Sequence, residues 1–156
     1  MTQEETKMSL PEGYSFRKLK STDYSNNYIE TLKVLTTVGE VSQGQFDSLF
    51  STWSKNPDIY QPHVIVNSTG TIVATGMLFI EAKLIHECGK VGHIEDISVA
   101  TTEQGKKLGN YLVRSLSLLA QKAGCYKVIL DCSPHNVGFY EKCGYKNDGI
   151  EMVQRF

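Results

Sequence analysis

Apolar residues recur at helical spacing in several stretches and form strand-like runs between them. Tyr14, Phe16 and Leu19 alternate loosely with Arg17, Lys18 and Lys20, which predicts a first strand over Tyr14 to Leu19. Asp23 can cap a first helix, in which Tyr28, Ile29, Leu32 and Leu35 make an apolar stripe with Gly39 as its stop. Ser42 caps a second helix carrying Phe46, Leu49, Phe50 and Trp53, ended by Asn56-Pro57. His63 to Asn67 and Thr71 to Ile80 read as a hairpin around Ser68-Thr69-Gly70. Ala82 to Lys90 is a polar connection. Val91 to Ala100, with Ile94, Ile97 and Val99, predicts a buried strand, and Leu108, Tyr111, Leu112, Leu116 and Leu119 predict a helix closing near Ala123-Gly124. Tyr126 to Cys132 is a nearly continuous apolar run, expected of a strand covered on both faces. A short helix over Asn136 to Lys142 ends at Gly144, and Asn147-Asp148-Gly149 predicts a turn between two final strands.

The resulting order is one strand, two helices, three strands, helix, strand, helix and a terminal strand. It predicts a mixed α/β fold with a mostly antiparallel sheet flanked by helices. Residues 1–12 are polar and are expected to be a mobile tail, with a single domain over 13–156. No repeat, linker or low-complexity segment interrupts it.

The most informative stretch is 91–110. A strand leads through a polar, glycine-bearing loop (Thr101, Thr102, Glu103, Gln104, Gly105) into a helix, with Lys106 and Lys107 at its mouth. The first N–H groups of a helix lack internal partners and the dipole adds partial positive charge, so this arrangement suits a phosphate-bearing ligand. An ordinary crossover with a solvated lysine pair is the plain alternative. Neither G-x-G-x-x-G nor G-x-x-x-x-G-K-[ST] occurs in this loop, which removes support for NAD and nucleoside-triphosphate sites.

Composition narrows the classes. Hydrophobic content of 40% and charged content of 21% are those of a globular protein, and a formal charge of -1 argues against general nucleic-acid binding. No apolar run approaches membrane-spanning length, and the first ten residues hold no signal-peptide core. Cys88, Cys125, Cys132 and Cys143 form no C-x-x-C pair, so reduced thiols in a cytoplasmic protein without a metal are expected.

Gln104, Gly105, Leu108 and Gly109 can be laid on the Q-x-x-G-x-G loop of the GCN5-related N-acetyltransferases (GNAT), which this loop resembles. Lys107 stands where that family usually has its middle glycine. LKVLTTVG at 32–39, GHIEDISV at 92–99, CYKVILDC at 125–132 and FYEKCGY at 139–145 are similar, more specifically, to the glucosamine 6-phosphate N-acetyltransferases of that superfamily. The similarity runs from about Leu10 to Phe156. It implies acetyl transfer from acetyl-CoA to the 2-amino group of glucosamine 6-phosphate, with a product that feeds UDP-N-acetylglucosamine synthesis. It also implies a sheet whose two parallel central strands splay apart to admit the pantetheine arm.

Residue roles come partly from chemistry and partly from the resemblance. Amine acetylation needs a neutral nucleophile, a polarised thioester carbonyl and a proton donor for the thiolate. A 2-amino sugar should titrate near an α-amino group, about 7.7–8.0, so no strong base is required. Glu95 and Asp96 are adjacent charges in an apolar strand and face opposite sides unless a bulge intervenes; one of them facing solvent, or pairing with a buried lysine, is the alternative to substrate binding. By residue type Tyr140 is either a phenol that donates to the thiolate or an aromatic packed beside Phe139, and Asp131 either a ligand or a cap for the Ser133-Pro134 turn; the resemblance makes Tyr140 the donor to sulfur, with Glu95 and Asp131 also catalytic. It places Thr36, Lys83, His86, Glu95, Asp96, Asp131 and Arg155 against the sugar phosphate. For the cosubstrate it implies Ile97, Ser98 and Val99 through backbone groups, then Gln104, Gly105, Lys106, Lys107, Leu108, Gly109 and Asn110, with Asn136 and Tyr140. Asn136 either caps its turn or contacts CoA. Cys132 and Cys143 read as packing residues rather than acyl carriers.

Two rivals stand beside this reading: a protein or small-amine N-acetyltransferase of the same superfamily, and a non-catalytic acetyl-CoA-binding regulator. The alternation of Ile150, Met152, Gln154 and Phe156 with Glu151, Val153 and Arg155 predicts a terminal edge strand. The resemblance implies a homodimer in which such strands cross and Arg155 completes the partner's site.

Overall fold

In this computed structural model, which describes residues 8–156, five strands form one sheet in chain order. They are β1 (Ser15–Lys18), β2 (Tyr60–Val66), β3 (Ile72–Ala82), β4 (Lys90–Val99) and β5 (Cys125–Ile129). The first four are antiparallel; β4 and β5 are parallel, so a crossover helix must join them. That helix is α3 (Leu108–Lys122). Its Leu108, Leu112, Leu116 and Ala120 recur every four residues and are buried against Leu78, Ile80 and Ile94 of the sheet. The opposite face carries α1 (Tyr28–Leu32) and α2 (Gln43–Lys55), which close a smaller core of Leu19, Tyr28, Phe46, Val64, Val66 and Ile72. Alternation along β2 divides its side chains between the two layers, Ile65 going to one and Val64 and Val66 to the other.

Local chemistry explains the helix ends. Ser42 Oγ accepts from Gln45 N at 3.2 Å while Gln45 Oε1 accepts from Ser42 N at 2.8 Å, a reciprocal cap. Tyr140 lies on the short helix α4 (Val137–Lys142), which comes after a 3₁₀ turn at Pro134–Asn136. Asn136 makes no side-chain cap, which leaves its amide available to a ligand. Among the described residues no helix is long and apolar enough to cross a membrane. Of the tail expected over 1–12, residues 1–7 lie outside the described residues, and Leu10 packs against the main core.

Three expectations need correction, and one gains detail. The first helix stops at Leu32 rather than reaching Leu35, leaving 33–39 as a loop ended by Gly39 at φ +75°. The polar connection contains a turn at Ile85–Cys88 in which His86, Glu87 and Cys88 take φ of 52–58°, left-handed values that cost roughly 1–2 kcal/mol per residue. β5 is not covered on both faces: it is an edge strand with Tyr126 and Ile129 about two-fifths exposed. No strand is formed over 145–156, and Ile150, Met152 and Phe156 lie open to solvent. The alternating pattern is there, but a strand needs a ladder partner, and this stretch finds none among the described residues.

Candidate active site

The site grows from one irregularity in β4. Met77 pairs with Glu95 and Thr75 with Ser98, so the single residue Gly76 faces two, Asp96 and Ile97. Asp96 takes φ +55°, the mark of a bulge. Gly76 makes room for it: a Cβ there would meet Ile97 Cδ1 at 2.6 Å and Leu116 Cδ1 at 3.0 Å. The bulge brings both carboxylates to bear on the side away from α3. The Asp96 charge adds to burial in pushing the Tyr28 phenol up to about 12, and it acts on Glu95 as well.

Pairing between β4 and β5 stops at His93 opposite Ile129, and beyond that point the two strands part. Ala100 N donates to Val73 O on β3 at 2.8 Å. By alternation, the N–H groups of Val99 and Ile97 point the other way, into the gap. A gap edged by unpaired amides suits an extended chain carrying amide groups of its own. Ser98 is turned from it, its hydroxyl donating to Thr31 O.

Three side chains converge at the head of the gap. Burial raises the Glu95 carboxyl above its usual range, helped by the charges of Asp131 and Asp96. Burial likewise pushes the Tyr140 phenol up to about 12, with Asp131 among the smaller causes. Asp131 itself is exposed just past the end of β5. Glu95, Asp131 and Tyr140 therefore share one electrostatic neighbourhood: two carboxylates for an ammonium and a neutral phenol able to donate.

The loop before α3 has the form read from the sequence, with a division of labour that was not. Gly105 stands at φ +89° and Lys107 at φ +62° as the residue before the helix. Lys106 is engaged by the buried Glu103 at 2.5 Å and by the Tyr14 hydroxyl at 3.1 Å. Lys107 has no ion pair among the described residues, so it is the one free cation at the helix mouth. Gln104 is exposed beside it, whereas the Leu108 side chain belongs to the core and only its backbone faces the loop. Gly109 lets α4 close on α3, since a Cβ would lie 3.2 Å from Phe139 Cζ. The Asn110 amide donates to Cys143 Sγ at 3.3 Å, which commits it to the helix contact.

The residues expected on a sugar phosphate are less gathered. Thr36 is exposed on the 33–39 loop, and His86 stacks on Tyr126 with ring centroids 4.3 Å apart. Lys83 is held by Glu81 at 3.2 Å. Arg155 lies near Glu151, whose carboxyl is raised by contact with Asp131. Among the described residues no hydrogen bond or ion pair joins Thr36, Lys83, His86 and Arg155 to one another. Sequence reasoning missed Glu81, His93 and Glu151. For the first two the signal was present as Glu81-x-Lys83 and His93-x-Glu95, pairs that share a strand face. All four cysteines are free thiols, and among the described residues no cluster of His, Cys, Asp or Glu is placed to hold a metal.

Comparison with known proteins identifies the family. The family model described as "Acetyltransferase (GNAT) family" matches residues 24–145. A glucosamine 6-phosphate N-acetyltransferase of Candida albicans is 71% identical over 149 residues, covering 96% of this chain and all of that protein. The corresponding protein 1 of Dictyostelium discoideum is 43% identical, covering 92% and 91% of the two chains. The crystal structure of the Arabidopsis thaliana glucosamine-6-phosphate N-acetyltransferase superposes with a TM-score of 0.90 at 43% identity, over 93% of this chain and 99% of that one. The chain belongs to the GNAT family of acetyltransferases and, within it, to the glucosamine 6-phosphate N-acetyltransferases.

Proposed function

We propose that the protein transfers the acetyl group of acetyl-CoA to the 2-amino group of glucosamine 6-phosphate by direct attack with both substrates bound. The observation that carries this is the junction of two half-sites at the bulge. The parted strands β4 and β5 offer Ile97 and Val99 amides to a pantetheine arm, and the same bulge turns Glu95 and Asp96 towards an amine. The diphosphate fits the α3 mouth, where free helix N–H groups, the open Gly105 and the unpaired Lys107 meet.

Bound acetyl-CoA supplies the thioester carbonyl and a thiolate leaving group. Glu95, with its raised pKa, binds the ammonium when ionised and takes up its proton more readily than an ordinary glutamate. Asp131 orients the amine from across the gap. Tyr140 stays protonated throughout the neutral range and donates to the departing sulfur. Asn136 on its turn is free to bind the CoA chain.

The uncovered edge of β5 and the apolar alternation of 150–156 support a homodimer in which Arg155 reaches the partner's phosphate site. Mixed Tyr140→Phe and Arg155→Ala chains, after subunit exchange, should then regain part of the activity each lacks.

The test of the function itself is thiol release from acetyl-CoA with glucosamine 6-phosphate, glucosamine and a peptide amine in parallel. Strong preference for the phosphorylated sugar is expected. Equal rates with glucosamine would remove the phosphate site, and thiol release with the peptide alone would favour a protein acetyltransferase.

A further inference from the structure

Four ionisable side chains fall in one line on the open face of the sheet. Phe79 pairs with His93 and Glu81 with Val91, so His93, Glu95 and Glu81 project from the face opposite α3. Lys83 lies two residues beyond Glu81. The Glu81 carboxylate holds both neighbours, Oε1 lying 3.0 Å from His93 Nε2 and Oε2 3.2 Å from Lys83 Nζ. The three side chains stay 39%, 23% and 28% exposed for Glu81, His93 and Lys83, so a solute can reach them. None of this was demanded by the larger core, which lies on the other face.

The backbone alone puts Lys83 too far from Glu95. Lys83 N donates to Gly89 O at 2.8 Å, which places it level with a residue six positions before Glu95. At about 3.3 Å per residue that is roughly 20 Å. An amino sugar 6-phosphate carries its ammonium and its phosphate across a single six-membered ring, a much shorter span. Glu81 draws the lysine head back towards the cleft. Its carboxylate lies at the level of His93, only two residues, or about 7 Å, from Glu95. His93 fixes the other carboxylate oxygen, so the anchor does not swing.

We propose that Glu81, braced by His93, is a positioning residue that sets the distance between the Lys83 ammonium and the Glu95 carboxylate, and so selects an amine with a phosphate one sugar ring away. This rests on the proposed substrate, with Glu95 meeting the amine and Lys83 the phosphate. Glu81 is itself an anion and repels phosphate, so charge alone argues the opposite way. Positioning outweighs it because an unanchored lysine has a flexible four-carbon stem and no fixed location.

The experiment measures kcat/KM for glucosamine 6-phosphate and for glucosamine, and KM for acetyl-CoA, in wild type, Glu81→Gln and Glu81→Asp. Glu81→Gln should lower the ratio of phosphorylated to plain substrate by about tenfold or more while leaving KM for acetyl-CoA and thermal stability nearly unchanged. Glu81→Asp, too short to reach both partners, should shift the ratio in the same direction. In a Lys83→Ala background, Glu81→Gln should cost nothing further, because the two act as one unit. A ratio that stays constant or rises in Glu81→Gln, or losses that add in the double variant, would overturn the positioning role. A wild type that does not distinguish the two sugars defeats the substrate reading instead, and this inference with it.

Discussion

From Met77 to Glu81 the strand β3 shows two faces that answer to different demands. Leu78 and Ile80 turn towards α3 and are sealed with Ile94, Leu112 and Leu116. Met77, Phe79 and Glu81, with His93 and Glu95 opposite, are only part-buried and include three ionisable groups in five positions. The helices α1 and α2 cover that second face around Val66, Ile72 and Ser98. The closed face repays close packing. The open face holds a carboxylate, Glu95, whose charged form its surroundings disfavour, and that is a cost to the fold which an incoming ammonium relieves.

Changes to the two faces should separate cleanly. The largest effect is expected at the head of the gap: Tyr140→Phe should cut turnover by roughly 10²-fold or more, with acetyl-CoA binding nearly intact, because the phenol acts on charge that develops only in the transition state. Steady-state kinetics with unchanged turnover would reduce Tyr140 to a packing residue. On the closed face, Leu116→Ala should cost about 2–5 kcal/mol in denaturant unfolding, while the folded fraction keeps its specific activity. Lys107→Gly should do least. It relieves about 1–3 kcal/mol of left-handed strain and gives up a charge-assisted bond of about 1.5–3 kcal/mol, so affinity for acetyl-CoA, read by titration, should move by less than about tenfold.

What the sequence disclosed obeys the same division. The closed face was legible because Leu108, Leu112 and Leu116 repeat at helical spacing; on the other side, Ser42 announced the start of α2. The strand, loop and helix around Gly105 could be placed from residues alone, and Lys107, standing at the family's glycine position, takes φ +62°, a conformation that glycine adopts freely. Pairing was harder to read. Leu130 and Cys132 look like strand residues, yet β5 ends at Ile129, because apolar identity does not report where two strands part. The adjacent Glu95 and Asp96 hinted at an irregularity, but only the register opposite Gly76 locates the bulge. Glu81 and His93 each had a signal on their own strand, but their partnership crosses strands, and nothing in either neighbourhood names the other. The terminal residues 145–156 alternate like a strand, but a ladder needs an edge to join, which one chain's sequence does not specify.

The central claim is that Glu95 sits in the cleft at the expense of stability and for the sake of the amine. It is tested most directly by measuring unfolding free energy against pH for wild type and Glu95→Gln, alongside kcat/KM for glucosamine 6-phosphate. The folded-state pKa of Glu95 is raised, so its ionisation weakens the fold above that value and has no effect below the ordinary glutamate range. Glu95→Gln should therefore be the more stable protein at neutral pH, and the advantage should vanish as the pH falls below about 4. Over the same range it should lose most of its activity towards the amino sugar. A variant that is less stable than wild type at neutral pH, or equally active, would contradict the account.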